Sequence, residues 1–93
     1  MTRLFTFVVE YEGASSISQL EADDVDAAFS EWRRSLGGRL RAILPDRDIT
    51  ALKKDLEGEE PTPVKRRKGV WFACGRGAKG FARITIVATA QGG

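Results

Sequence analysis

Residues 5–11 are Phe5-Thr6-Phe7-Val8-Val9-Glu10-Tyr11. The odd positions hold Phe5, Phe7, Val9 and Tyr11, and the even positions hold Thr6, Val8 and Glu10. Large apolar groups recurring at every second residue, with β-branched and aromatic types enriched, predict a strand whose odd side faces a core. Glu12-Gly13-Ala14 supplies a turn, and Ser15 to Ala22 a second strand. There Ser16, Ser18, Leu20 and Ala22 fall on the core side, which leaves Ile17 on the other face.

The period then changes. Val25, Ala28, Phe29, Trp32 and Leu36 recur at helical spacing and make one apolar stripe. Asp23 stands where an N-cap belongs, Asp24 and Asp26 complement the positive end of the helix dipole, and Arg33 and Arg34 complement its negative end. Gly37-Gly38 is the expected stop. Residues 39–44 fit either a short helix or an extended segment, and Pro45 breaks them. Asp46 or Asp48 is placed to cap a second helix carrying Ile49, Leu52 and Leu56. Residues 57–69 pass from acidic through two prolines to basic and have the composition of a flexible loop. Val70 to Cys74 and Phe81 to Thr89 form a closing hairpin around a Gly75–Gly80 loop, with Ala82, Ile84, Ile86 and Ala88 on one face. A frayed tail is expected at 90–93.

The expected fold is therefore α+β: a two-layer sandwich with a four-stranded, mostly antiparallel sheet in the order β-β-α-(α)-β-β and helices on one face. A chain of 93 residues is expected to make a single domain. Its 42% hydrophobic and 30% charged residues are those of a folded protein rather than a disordered one. The apolar run after Arg3 stops at Glu10, too short for the core of a signal peptide, and no stretch approaches the length of a membrane span. One cysteine, Cys74, excludes an internal disulfide. A cytoplasmic location and no membrane partner are expected.

The net charge of +2 hides a strong asymmetry. Residues 1–60 hold all 13 acids against 8 bases, whereas residues 61–93 hold 7 bases and no acid. Such a split gives a dipole, a contact between the two parts, or a partner surface.

No motif names a reaction. The chain has no histidine, which removes Ser-His and Cys-His pairs, histidine-ligated metals and the commonest general base. Gly75-Arg76-Gly77-Ala78-Lys79-Gly80 matches G-x-G-x-x-G, but a dinucleotide site needs that loop to open a helix, and a strand follows here. A flexible hairpin turn is the simpler reading. The acids at 23–26, 46–48 and 57–60 lack the spacing of a calcium loop. Cys74 at the end of an apolar strand is expected to be a buried, inert thiol. No catalytic residue, metal ligand or cofactor is expected, and the chain is read as a non-enzyme.

Two surfaces stand out. Lys65, Arg66, Arg67 and Lys68, with Arg76, Lys79 and Arg83, offer cations for phosphates, beside Trp71 and Phe72 for stacking. The outward face of the sheet is expected to carry Val8, Ile17, Trp71 and Val87, with Ala73 beside Trp71, and is more apolar than a solvated sheet face.

The stretch Leu4–Leu36, a hairpin followed by a helix opening Asp23-Asp24-Val25-Asp26-Ala27-Ala28, resembles the small HicB-type antitoxin domain over about a third of the chain. It lacks that family's third strand before the helix and its Pro- and Cys-containing turn, and no residue role is carried over.

The leading expectation is a small interaction module that self-associates through Val8, Ile17, Trp71 and Val87 on the exposed sheet face, so that Trp71→Glu yields a folded monomer. The alternative is an accessory nucleic-acid-binding domain using the basic segment of residues 65–83.

Overall fold

The alternating segment forms strand β1 (Arg3–Tyr11), which turns through Glu12-Gly13 into β2 (Ala14–Ala22). This computed structural model describes residues 2–89, so the expectation for the tail at 90–93 lies outside the described residues. Three helices follow: α1 (Val25–Arg34), α2 (Leu36–Leu40) and α3 (Asp46–Asp55). Then come β3 (Thr62–Pro63), β4 (Val70–Arg76) and β5 (Phe81–Thr89). The strands make one sheet in the order β2-β1-β5-β4-β3, with every neighbouring pair antiparallel. The α+β class is as expected, but the sheet has five strands rather than four. The fifth lies inside the segment read as a loop: Thr62 and Pro63 pair with Phe72 and Trp71, and Val64 N–H donates to the Val70 carbonyl. A strand of two residues, Thr62-Pro63 after Pro61, carries no periodicity from which to infer it.

The topology has a consequence for the surfaces. The chain leaves β2 at one edge of the sheet and re-enters it at β3, at the opposite edge. The connection is helical, and it crosses a single face. That face becomes the core, and among the described residues no helix or further strand covers the opposite face.

Aromatic and branched residues fill the core as the alternation requires. Phe5, Phe7 and Val9 of β1, Ala82, Ile84 and Ile86 of β5, and Trp32, Leu36, Leu40, Leu52 and Leu56 from the helical side are fully or almost fully buried. The Trp32 ring stacks on Phe7 with centroids 5.1 Å apart and an interplanar angle of 7°, which pins α1 to the middle of the sheet. The Arg33 guanidinium donates to the Leu56 carbonyl at 2.9 Å, and the Asp55 carboxylate accepts the Arg76 N–H at 2.6 Å. These bonds tie the end of α3 to α1 and to β4.

Several local expectations are corrected. The α1 N-cap is Asp24, whose carboxylate accepts the Ala27 N–H at 2.8 Å, rather than Asp23. The Gly37-Gly38 pair does not terminate the helical path. Instead α1 stops at Ser35, whose hydroxyl donates to the Glu31 and Trp32 carbonyls, and α2 runs through both glycines. Burial of Leu36 and Leu40 holds this second segment down against its poor intrinsic propensity. Pro45 occupies the N-cap of α3, so Asp46 and Asp48 both lie in its first turn. Asp48 is fully buried, and neither of its carboxylate oxygens has a hydrogen-bond partner among the described residues. Its place at the positive end of the α3 dipole partly offsets that burial.

Candidate functional site

The bare face of the sheet is the candidate site. Residues directly paired across antiparallel strands point to the same face, and the register assigns them. One row across the sheet is Ile17, Val8, Thr85, Phe72 and Thr62. On one side of it lie Gln19, Thr6, Val87 and Val70, and on the other Ser15, Glu10, Arg83 and Cys74. Ile17 is 69% exposed, Phe72 42% and Phe81, at the far end of the face, 64%. Val8, Val70 and Val87 are half-buried by their neighbours. Ile17, Val8, Val87, Val70 and Phe72 thus lie in two adjacent rows, with Thr85 among them.

The polar groups of the face are ordered. Gln19 Nε2 donates to the Thr6 hydroxyl at 2.9 Å, and Thr6 also meets the Thr89 hydroxyl. The Arg76 guanidinium sits over the Phe81 ring, 4.8 Å from its centroid. Glu10, Arg83, Cys74, Ser15 and Phe81 line an open cleft of about 640 Å³ near the hairpin tips.

Of the expected interface residues, Val8, Ile17 and Val87 lie on this face, and Trp71 does not. Trp71 pairs with Ile86 and Ala73 with Ile84, so both turn toward the helices. Ala73 is 4% exposed, and Trp71 packs against the core, its ring 6.0 Å from that of Phe5. Phe72 takes the outward position, a residue the sequence reading missed for this face. Val70-Trp71-Phe72-Ala73-Cys74 is apolar on both sides, so its phase is not visible locally. A signal was present further along: Ala73, Gly75 and Gly77 are small residues at every second position. A β-carbon on Gly75 would lie 2.5 Å from Leu52 Cδ1 and 2.8 Å from Leu56 Cδ2. One on Gly77 would lie 2.7 Å from the Tyr11 hydroxyl. These glycines mark the side of β4 on which α3 and Tyr11 close in.

The same geometry corrects the G-x-G-x-x-G segment. Gly75 and Arg76 belong to β4, and the connection is only 77–80. Gly77 N–H bonds to the Gly80 carbonyl at 2.8 Å, and Lys79 N–H donates to the Tyr11 hydroxyl at 2.9 Å. The phase of β4, which pairs Cys74 with Arg83, also reverses the expectation of a buried thiol: Cys74 is exposed on the bare face.

The candidate nucleic-acid residues are not brought together. Lys65, Arg66, Arg67 and Lys68 lie in the β3–β4 turn, at the start of β4. Arg76, Lys79 and Arg83 lie around its far end, a strand length of about 20 Å away at roughly 3.3 Å per residue. That second group shares its end of the sheet with Glu10 and Glu12, and Trp71 is turned away from both groups. The acids named in the sequence are spread over the α1 cap, the first turn of α3 and the segment after α3. Among the described residues, no three His, Cys, Asp or Glu side chains come together in a metal-binding arrangement. No described helix is long and apolar enough to cross a membrane. No protein-family model matches this chain, and no curated protein or solved structure shows a detectable match to it.

Proposed function

We propose that this chain is a small, non-enzymatic interaction module that self-associates through the bare face of its sheet. The observation that carries the reading is the exposure of Ile17 and Phe72 in one continuous row with Val8, next to Val70 and Val87, on a face that none of the described helices covers. Antiparallel sheets with one solvated face ordinarily place polar residues there. A large apolar side chain that becomes fully covered contributes about 1.5–3 kcal/mol. The absence of histidine from the chain supports a function in binding rather than catalysis. Nucleic-acid binding is the less favoured reading, because its cations form two separated groups, one of them mixed with acids.

Sedimentation velocity over a concentration series tests the proposal. The unmodified protein is expected to show concentration-dependent association, and the variant Ile17→Ser/Phe72→Ser to remain monomeric with unchanged circular dichroism. A wild-type chain that stays monomeric at its highest soluble concentration overturns the reading.

A further inference from the structure

The charged residues of the bare face are divided between its two halves. Glu10 lies on β1 and Glu21 on β2, both on the outward side. Arg83 lies on β5 and Arg76 on β4, also outward. The sheet order places β2 and β1 to one side of the β1–β5 seam and β5 and β4 to the other. One half of the face is therefore acidic and the other basic, with the apolar rows running across both.

This layout is self-complementary under one symmetry operation and not under its alternative. Two copies facing each other are related by a two-fold axis in the plane between them. If that axis runs perpendicular to the strands, each half meets its own kind, acid against acid and base against base. If it runs parallel to the strands, along the β1–β5 seam, left and right exchange while each row stays level with itself. Glu10 of one copy then opposes Arg83 of the other, twice by symmetry. Ile17 opposes Phe72, Val8 opposes Thr85, Thr6 opposes Val87, and Arg76 falls against the turn that holds Glu12. We infer that the occupant of the face is a second copy of this chain, docked face to face about a two-fold axis parallel to the strands at the β1–β5 seam. The inference rests on the face being the docking surface and adds its partner and register.

Aligned sheets pack about 10 Å apart and offset by about 30°. An Arg and a Glu side chain, both extended, span that gap, and near the seam the offset moves facing residues by only about 3 Å, a value that follows from the row spacing. A partner carrying one sign of charge, nucleic acid included, meets repulsion over half of the face, whereas a second copy does not. The area sets the strength. Four strands at about 4.8 Å spacing and seven residues at about 3.3 Å give a flat patch on the order of 450 Å² per copy. Stable complexes bury about 800 Å² of accessible surface per partner. The dimer is accordingly weak, with dissociation in the micromolar range or above.

A charge-exchange experiment reads the register directly. In a homodimer of Glu10→Arg, arginine faces arginine at both symmetry-related positions. In a homodimer of Arg83→Glu, glutamate faces glutamate. Each variant alone is expected to associate at least about tenfold more weakly than wild type in low salt. Mixed in equal amounts, the two variants regain opposite charge at both positions, and a heterodimer of near wild-type affinity is expected. An effect confined to one protomer cannot produce that rescue. The double variant Glu10→Arg/Arg83→Glu, expected to associate with itself, checks that both substitutions are tolerated by the fold. Single variants that still associate like wild type, or a mixture that stays monomeric, overturn the register. If Ile17→Ser/Phe72→Ser nevertheless abolishes wild-type association, the face survives as the docking surface and only its geometry falls. A monomeric wild type removes both.

Discussion

Both faces of the sheet carry large apolar side chains, and these have opposite fates. On one side Phe5, Phe7, Val9, Ile84 and Ile86 lie under the helices and are almost wholly buried. On the other, Ile17 and Phe72 meet solvent although they belong to the same strands or their neighbours. Chemistry alone does not separate them: isoleucine and phenylalanine stand on both sides. The difference lies in the route of the chain, which crosses the sheet once, on one face. Substitutions on the covered face should change the stability of the protomer, and those on the bare face should change only what the protomer binds.

Three comparisons bear on that division, in order of decreasing effect. Trp32→Ala removes the ring stacked on Phe7 and Phe29 and opens a cavity in the middle of the core. A loss of about 3–5 kcal/mol is expected from such a truncation, read as a lower urea midpoint or an unfolded chain. Gly75→Val drives a branched side chain into Leu52 and Leu56, both fully buried. A loss of about 1–3 kcal/mol is expected for overpacking of this kind, with partial recovery when Leu52→Ala makes room. Trp71→Ala and Phe72→Ser, on adjacent residues, sharpen the contrast most. Trp71→Ala is expected to lower the unfolding free energy by about 2 kcal/mol, since the ring packs on Phe5. Phe72→Ser is expected to move it by no more than about 0.5 kcal/mol while weakening association. If the larger stability loss came from Phe72→Ser, β4 would lie in the opposite phase. Trp71→Glu is not expected to give a well-folded monomer, because a charge at that position would be forced against the core.

How much of this was visible in the sequence differs by element. The phase of β1 followed from its own alternation, because its even positions include Thr6 and Glu10. The even-inward phase of β2 rested on Leu20, and the exposed Ser15, Ile17, Gln19 and Glu21 agree with it. The helix stripe through Trp32 was legible for the same reason: polar residues filled the opposite side. β4 offered no such contrast over residues 70–74, and its phase comes from pairing with β5. Of the interface candidates, Val8, Ile17 and Val87 came from strands with clear alternation, whereas Trp71 came from the strand without it. The cations were visible as a composition, but only the length of β4 shows that they form two groups.

Local alternation, helical spacing, capping acids and turn glycines determined by themselves that this chain makes strands and helices of one α+β protein, because those signals depend on neighbours within a few residues. The order β2-β1-β5-β4-β3, the inward turn of Trp71, the addition of β3 and the bare acidic-and-basic face were decided only by the tertiary structure. Each of these depends on which residues meet across the sheet, and pairing between distant segments is set by packing over the whole sheet rather than by any short stretch of the chain.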